Sequence, residues 1–366
     1  MFAMKVIQII ARMNQGGTSR WIENLVFGLR RNGHTVILLS GNVESNEIED
    51  PIFMELGGIR IEGLGRSVSL LGDLKSILQI RRIIKSEKPD LVNTHTAKAG
   101  ALGRIAAIGL STKVVHTFHG HLLYGYFSPL KTKLIVVIEK FLGMFSDSII
   151  AVGGNTKVEL VKAGVAKSEK ISNIAPAVIK ENIPDFDALK KRLGIKDSEF
   201  VVGWLGRLTQ IKRPDRVIEL AKALPNISFL IGGKGELESS LENQLPNNVR
   251  LIGWVKPFEF WPNCDVALLT SDNEGIPTSL IEAALCGIPI VAENVGSVGD
   301  IVKPGINGYL VDGFDQRLAA ISELNKNPQL KRNLGNGSIH SSNLEFSPET
   351  FISKHELIYK VAVKNH

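Results

Sequence analysis

Between Ser271 and Gly287 stand two glutamates, Glu274 and Glu282, with seven residues between them. The apolar run Val266 to Leu269 reads as a buried strand, which puts Glu274 in the loop after its carboxyl end. Thr278 or Ser279 is a suitable N-cap, so Glu282 falls in the first turns of a helix that Gly287 ends. Free N–H groups around Ile276 to Ser279, with the helix dipole, favour a phosphate there. A carboxylate ahead of such a helix can accept hydrogen bonds from sugar hydroxyls, and one inside it can reach a ribose. The plainer reading is a loop acid and a helix-start acid. It is weakened because Glu282 is embedded among Leu280, Ile281, Ala283, Ala284 and Leu285, where a carboxylate needs a partner.

A second group, Gly206, Arg207 and Lys212, follows the apolar run Phe200 to Leu205. A guanidinium fork and a lysine point charge five residues apart, at a strand's carboxyl end, can hold a diphosphate. Taken alone, two solvated surface cations explain them better. A third, Gly16 and Gly17, follows the first strand and lets the backbone approach a ligand ahead of the next helix. The third spaced glycine of a dinucleotide loop is missing, and a tight turn explains the pair as well. The fourth is histidine: His95, His116, His119 and His121. His119 and His121 follow the strand Val114 to Phe118, but no matching carboxylate or thiol cluster accompanies them. Hydrogen bonding to a sugar or phosphate is expected in preference to a metal. The D-x-D of Asp185 and Asp187 reads as turn chemistry.

These groups need strands and helices in alternation, and the chain carries that grammar twice. Lys5–Ile10, Thr35–Leu39, Asp90–Thr94, Val114–Phe118 and Ser148–Val152 read as strands, with helices over Ser19–Arg31 and Leu71–Lys85. The pattern restarts with strands at Phe200–Leu205, Ser228–Gly232, Val249–Ile252, Val266–Leu269 and Pro289–Ala292, and a helix over Arg213–Ala223. Continuous apolar strands between helices indicate parallel sheets covered on both faces. The predicted domains are 1–175 and 197–346, joined by a linker over 176–196. A tail, 347–366, is capped by Ser347 with Pro348 at its first helical position. Two doubly wound domains imply a cleft lined by strand carboxyl ends.

The 366 residues suit two domains, and 44% hydrophobic with 22% charged residues argues against disorder. Cys264 and Cys286 are too few for a disulfide scaffold or a four-thiolate metal site, and suit a reducing compartment. MFAMKVIQII lacks the marks of a secretory leader, and the greasy run Leu134 to Phe145 is too short to span a bilayer. The net charge of +6 is uneven. Residues 1–180 hold 23 Lys and Arg against 14 Asp and Glu, an excess of nine; residues 181–366 hold 20 against 23. A basic first half points to an anionic partner or to an ordinary solvated surface.

With these residues in hand, the chain resembles the family 4 retaining glycosyltransferases of the GT-B fold, two Rossmann-like domains facing each other across a cleft. The motifs come in family order over nearly the whole chain: the loop at Gly16, His119-Gly, Gly206-Arg207 with Lys212, Gly232 to Gly235, Gly253-Trp254-Val255, the paired Glu274 and Glu282, and Gly305 to Val311. The stretch from Asn93 to Ala107, with His116 to His121, is similar to a bacterial surface-polysaccharide subgroup. The resemblance implies that Arg207 and Lys212 bind the donor diphosphate, Glu274 the donor sugar and Glu282 the ribose. The backbone at Gly275, Ile276, Pro277 and Thr278 would hold sugar and phosphate, and Val255 would meet the base. His119 would touch the sugar beside the reacting carbon, and Gly16 and Gly17 would face phosphate and acceptor. Val152-Gly153-Gly154, Ala175 to Ile179, and Arg213 where glycine is commoner depart from the family pattern.

The reaction expected is transfer from a UDP- or GDP-sugar to an acceptor hydroxyl with retention, without cofactor or metal. Positive charge and a helix N-terminus would stabilise the departing diphosphate. The expected acceptor is a lipid-linked saccharide, with the protein cytoplasmic and peripheral on the inner face of the plasma membrane. The basic first half, His121 to Phe127, and Lys131 to Phe145 motivate that. Leu134 to Phe145 lacks a clean polar face, however, and a core helix packed on the sheet is the stronger expectation. A nucleotide-sugar epimerase of the same fold is the alternative, against which the glutamate pair argues. A silent sugar-binding subunit is another. A non-enzymatic binder of anionic polymer would explain the basic half but not the paired glutamates, and no nucleic-acid motif is present.

Overall fold

The computed structural model describes residues 3–45, 47–65, 67–120, 129–181 and 188–364. Two compact units divide the chain: 1–177 with 348–366, and 178–347. His121, the segment up to Phe127, and the pair Asp185 and Asp187 lie outside the described residues, or in part so for the segment around them.

The first unit runs β1 (Lys5–Arg12), α1 (Gly17–Arg31), β2 (Thr35–Gly41), α2 (Ile52–Glu55), β3 (Ile59–Arg60), α3 (Leu70–Glu87) and β4 (Leu91–His95). It continues with α4 (Ala97–Ala107), β5 (Lys113–Phe118), α5 (Pro129–Gly143), β6 (Ser148–Ala151), α6 (Gly154–Lys162) and β7 (Ile171–Asn173). The second holds α7 (Ala188–Leu193), β8 (Val201–Leu205), α8 (Asp215–Ala223), β9 (Ser228–Gly232), α9 (Glu238–Glu242), β10 (Val249–Gly253), α10 (Pro257–Phe260) and β11 (Val266–Leu269). After it come α11 (Thr278–Leu285), β12 (Ile290–Glu293), α12 (Val298–Ile301), β13 (Gly308–Val311), α13 (Phe314–Lys326) and α14 (Pro328–Glu345). The tail helix, α15 (Pro348–Lys364), belongs to the first unit.

Both sheets are parallel throughout, ordered β3-β2-β1-β4-β5-β6-β7 and β10-β9-β8-β11-β12-β13. In each, the first strand lies centrally and the order reverses beside it, between β1 and β4 and between β8 and β11. Ligands of open α/β sheets bind at the carboxyl ends of strands at such a reversal. The strands are apolar because both faces are covered. In the first unit α1 and α15 cover one face, burying Trp21, Leu25, Phe351 and Tyr359. On the other, α3 and α4 bury Ile80, Ile84, Leu102 and Ala106, and α5 lays Ile135 and Val136 against Phe118 and Ile149.

Three local expectations are corrected. The helix predicted from Arg213 begins at Asp215, after a short 3-10 turn over Gln210–Lys212 and with Pro214 preceding it. Residues 188–196, expected to be linker, pack in the second unit: α7 buries Leu189, Ile195 is buried, and Lys190 N–H donates to Asn263 Oδ1. The run Leu134 to Phe145 packs on the sheet through Ile135 and Val136 and buries Leu142, but it is not buried as a core helix would be, because Leu134, Val137, Ile138, Phe141 and Met144 are exposed.

Candidate active site

In the second unit the singled-out residues line one edge of the sheet. Val255 follows β10 and lies against Gly232 at the end of β9; Arg207 and Lys212 follow β8; Glu274 to Thr278 follow β11. Parallel pairing brings all these loops to the same side. Backbone contacts hold them together. Gly206 N–H donates to Gly232 O at 3.0 Å, Leu208 N–H to Lys234 O at 3.0 Å, and Gly233 N–H to Gly253 O at 2.7 Å. Gly233 has φ +128, and a Cβ there would stand 1.8 Å from the Gly206 carbonyl oxygen, so only glycine fits.

The loops after β8 and β11 are tied by Thr270. Its hydroxyl accepts from Trp204 Nε1 at 2.9 Å and faces the carbonyls of Lys212 and Arg213 at 3.0 and 2.9 Å. Asp272 N–H donates to Ile211 O, and Arg216 bridges to Asp272 at 2.7 Å. Arg213 adopts φ +51, the left-handed conformation that favours glycine. Its guanidinium grips Asp215 at 2.7 Å and reaches Asp272 at 3.4 Å, which offsets the backbone cost.

Lys212 is thereby aimed at Glu274. Its ammonium donates to Glu274 Oε1 at 2.5 Å, and Ser271 Oγ donates to the same oxygen at 2.6 Å. Glu274 is only 8% exposed. Arg207 is exposed, and no described residue pairs with its guanidinium. Helix α11 starts at Thr278 with Pro277 at the N-cap, so the expectation of Thr278 or Ser279 at the cap is corrected. Proline presets its own φ, observed at −73°, and the helix begins directly after it. That leaves the α11 N-terminus with no side-chain cap and no acid in its first turn. Glu282 is one turn further in and 6% exposed, the buried carboxylate expected from its apolar neighbours.

In the first unit the histidines separate. Side chains alternate along a strand, so His116 and Thr117 point to opposite faces of β5. His116 lies on the α4 side, where its Nδ1 meets Thr94 Oγ1 at 2.8 Å. His95 and His119 come together at the carboxyl ends of β4 and β5, His95 Nδ1 to His119 Nε2 at 2.9 Å. Behind them stands a hydrogen-bonded chain that sequence reasoning missed. Gln8 donates through Nε2 to the Tyr359 hydroxyl at 3.2 Å, leaving its Oε1 to accept from His95 Nε2 at 2.8 Å. Asn93 donates to the same hydroxyl at 2.7 Å, and Thr117 donates to Asn93 at 3.1 Å. His95 Nδ1 is then a lone pair, His119 donates to it through Nε2, and His119 Nδ1 is left as an acceptor. Trp21 packs edge-on against His119, with ring centroids 5.2 Å apart. Gly16 caps α1 with φ +154, and that N-terminus also lacks a side-chain cap and a first-turn acid.

Burial keeps these imidazoles neutral. It lowers His119 to about 3, with His355 nearby adding to the effect, and lowers His355 to about 4 against the opposing bond from Phe351 O. His95 and His116 are also pushed well below 6.5 by burial. In the unfolded chain His355 binds a proton near pH 6.5, and in the folded one only near 4. Stability is therefore full above pH 6.5 and falls as pH drops through that window. At pH 5 His355 alone accounts for about 2 kcal/mol. His355→Phe keeps the ring packing on Trp21 and Phe351. Denaturation at pH 7.5 and 5 should show the variant gaining on the wild type at the lower pH. An unchanged gap would show that His355 is not held neutral.

Among the described residues no three His, Cys, Asp or Glu side chains converge to hold a metal ion. No described helix is long and apolar enough to cross a membrane.

Comparison with known proteins agrees with this architecture. Residues 15–181 match the family described as Glycosyltransferase Family 4, and residues 185–340 match Glycosyl transferases group 1. The chain is 31% identical over 294 residues, 74% of each chain, to the UDP-Gal:alpha-D-GlcNAc-diphosphoundecaprenol alpha-1,3-galactosyltransferase of Escherichia coli. It is 26% identical to the capsular polysaccharide biosynthesis glycosyltransferase CapM of Staphylococcus aureus, covering 82% of this chain and 84% of that one. Anabaena HepE, solved in complex with UDP, superposes with a TM-score of 0.83 at 20% identity, covering 98% of this chain and all of that one. The chain belongs to the family 4 glycosyltransferases of the GT-B fold, of the type that builds bacterial surface polysaccharides.

Proposed function

We propose that this glycosyltransferase moves a sugar from a UDP- or GDP-sugar to a hydroxyl of a lipid-linked saccharide, with retention of configuration and without a metal ion. The observation that carries the donor half is the grouping of the Arg207 guanidinium, the Lys212–Glu274 pair and the uncapped α11 N-terminus at neighbouring strand ends. A diphosphate leaving group develops negative charge as the glycosidic bond breaks. Arg207, Lys212 and N–H groups between Gly275 and Thr278 meet that charge without reorganising. Glu274 and Ser271 orient the donor sugar, Glu282 holds the ribose, and Val255 meets the base. In the first unit His119 Nδ1 accepts from a donor-sugar hydroxyl, and Gly16 and Gly17 leave room for phosphate and acceptor. No covalent nucleophile is needed, because a departing phosphate oxygen can take the acceptor's proton on the same face.

The lipid-linked acceptor draws on the Escherichia coli relative, whose name specifies a diphosphoundecaprenol-linked sugar. Thermal stabilisation by a panel of nucleotide sugars identifies the donor, since a ligand that binds only the folded state raises Tm. NMR of the transferred sugar's anomeric proton reads the stereochemistry. Retention and full activity in excess chelator are expected. An inverted anomer would overturn the mechanism, and loss of activity with rescue by magnesium or manganese would overturn metal independence.

A further inference from the structure

Helix α5 has a second apolar face besides the one that packs Ile135, Val136 and Leu142 inward. A surface helix of a soluble domain buries its apolar stripe and exposes its charges. Here Leu130, Leu134, Val137, Ile138, Phe141 and Met144 are exposed, at the spacing of one continuous helical stripe. Leu134, Val137, Phe141 and Met144 are 61%, 62%, 53% and 67% exposed. The one acid of the helix, Glu139, faces the opposite way and is 3% exposed. It meets the fully buried Arg104 of α4 at 2.7 Å, and Arg104 Nε donates to Gly100 O. Burial pushes the Glu139 carboxyl up and the Arg104 guanidinium down, with each partner opposing the other's shift. Breaking such a pair is costly, so it locks the rotation of α5 and holds the apolar stripe outward. The cations stay outside: Lys133 and Lys140 are exposed beside the stripe.

Helix α3 repeats the arrangement. Leu70, Leu71, Leu74 and Leu78 are exposed, with Lys75, Arg82 and Lys85 exposed along the same helix. The crossovers through α3, α4 and α5 all advance in one direction along the sheet, so their common handedness places these helices on one face. The two apolar stripes flank α4 in a single layer, carry exposed cations, and belong to the half of the chain with nine excess positive charges.

We infer that the outer surfaces of α5 and α3 dock the first unit on an anionic lipid bilayer, apolar stripes in the headgroup–acyl boundary and lysines at the phosphates. The charge pattern favours lipid over a second copy of this chain, because copies would bring like charges together. The inference deepens the reading of a lipid-linked acceptor and rests on it for its purpose, while its test needs neither donor nor acceptor. Apolar burial and cations contribute together in such interfacial helices, and lysine stems can lie along the apolar surface while their heads stay at the interface.

The experiment is flotation of the full chain with vesicles of phosphatidylcholine alone or doped with phosphatidylglycerol, at low and high salt. The wild type should float with the doped vesicles at low salt and at least tenfold less with neutral ones. Val137→Asp with Phe141→Asp should reduce partitioning at least tenfold, and Lys133→Glu with Lys140→Glu should do the same at low salt. All four positions are exposed, so circular dichroism and transfer to a water-soluble acceptor should be unchanged in both variants. Failure of wild type to float, equal flotation of wild type and variants, or a concentration-dependent dimer that the Asp variant dissolves without any lipid binding would overturn the inference. Loss of transfer to the soluble acceptor in the wild type would instead count against the enzymatic reading.

Discussion

Lys212→Ala should lower turnover by about 10²–10³, the scale of removing one preorganised charge-stabilising group. Arg207→Ala should do likewise. Lys212 is held in a turn whose geometry comes from main-chain and Thr270 contacts, not from its own ammonium. The substitution therefore removes charge without dismantling the loop. It also takes the Lys212 ammonium away from Glu274 Oε1, although Ser271 remains bonded to the same oxygen. The Arg207 guanidinium has no hydrogen bond or ion pair among the described residues to lose. Steady-state kinetics beside a melting curve separate the two effects. The expected result is a large fall in kcat with Tm nearly constant. Wild-type rates in either folded variant would remove the diphosphate role.

The two glutamates should fail differently. Glu274→Gln should abolish most transfer while keeping much of the affinity for free nucleoside diphosphate, because the proposed partner of Glu274 is the sugar. An amide also cannot hold Lys212 as a carboxylate does, so kcat should drop by about 10²–10³. Glu282→Gln should weaken nucleotide binding itself, by about tenfold or more, the scale of losing a hydrogen bond to a charged group. Calorimetry with UDP and GDP reads the contrast directly. The reverse pattern would exchange the two assignments. Loss of fold in Glu282→Gln would assign this buried side chain to stability alone.

Sequence alone determined the alternation of strand and helix, and with it the placement of Arg207, Lys212 and Glu274 at strand carboxyl ends. Those readings depend on hydrophobic period and on glycine, which act locally. The order of motifs also sufficed for the family, since few folds carry that series. Other features were settled by packing. Lys212 and Glu274 are 62 residues apart, and only the parallel pairing of β8 with β11 makes them partners. The four histidines looked like one group, but strand alternation sends His116 into the α4 layer and leaves His95 with His119. Tyr359 gave no signal because its partners Gln8 and Asn93 lie 351 and 266 residues away. Leu134 to Phe145 misled because a greasy run without a polar face reads as core. Its orientation is set by partners on other elements, the buried ion pair of Glu139 with Arg104 and the packing of Ile135 and Val136 on the sheet, and no local pattern encodes which face a helix turns toward them.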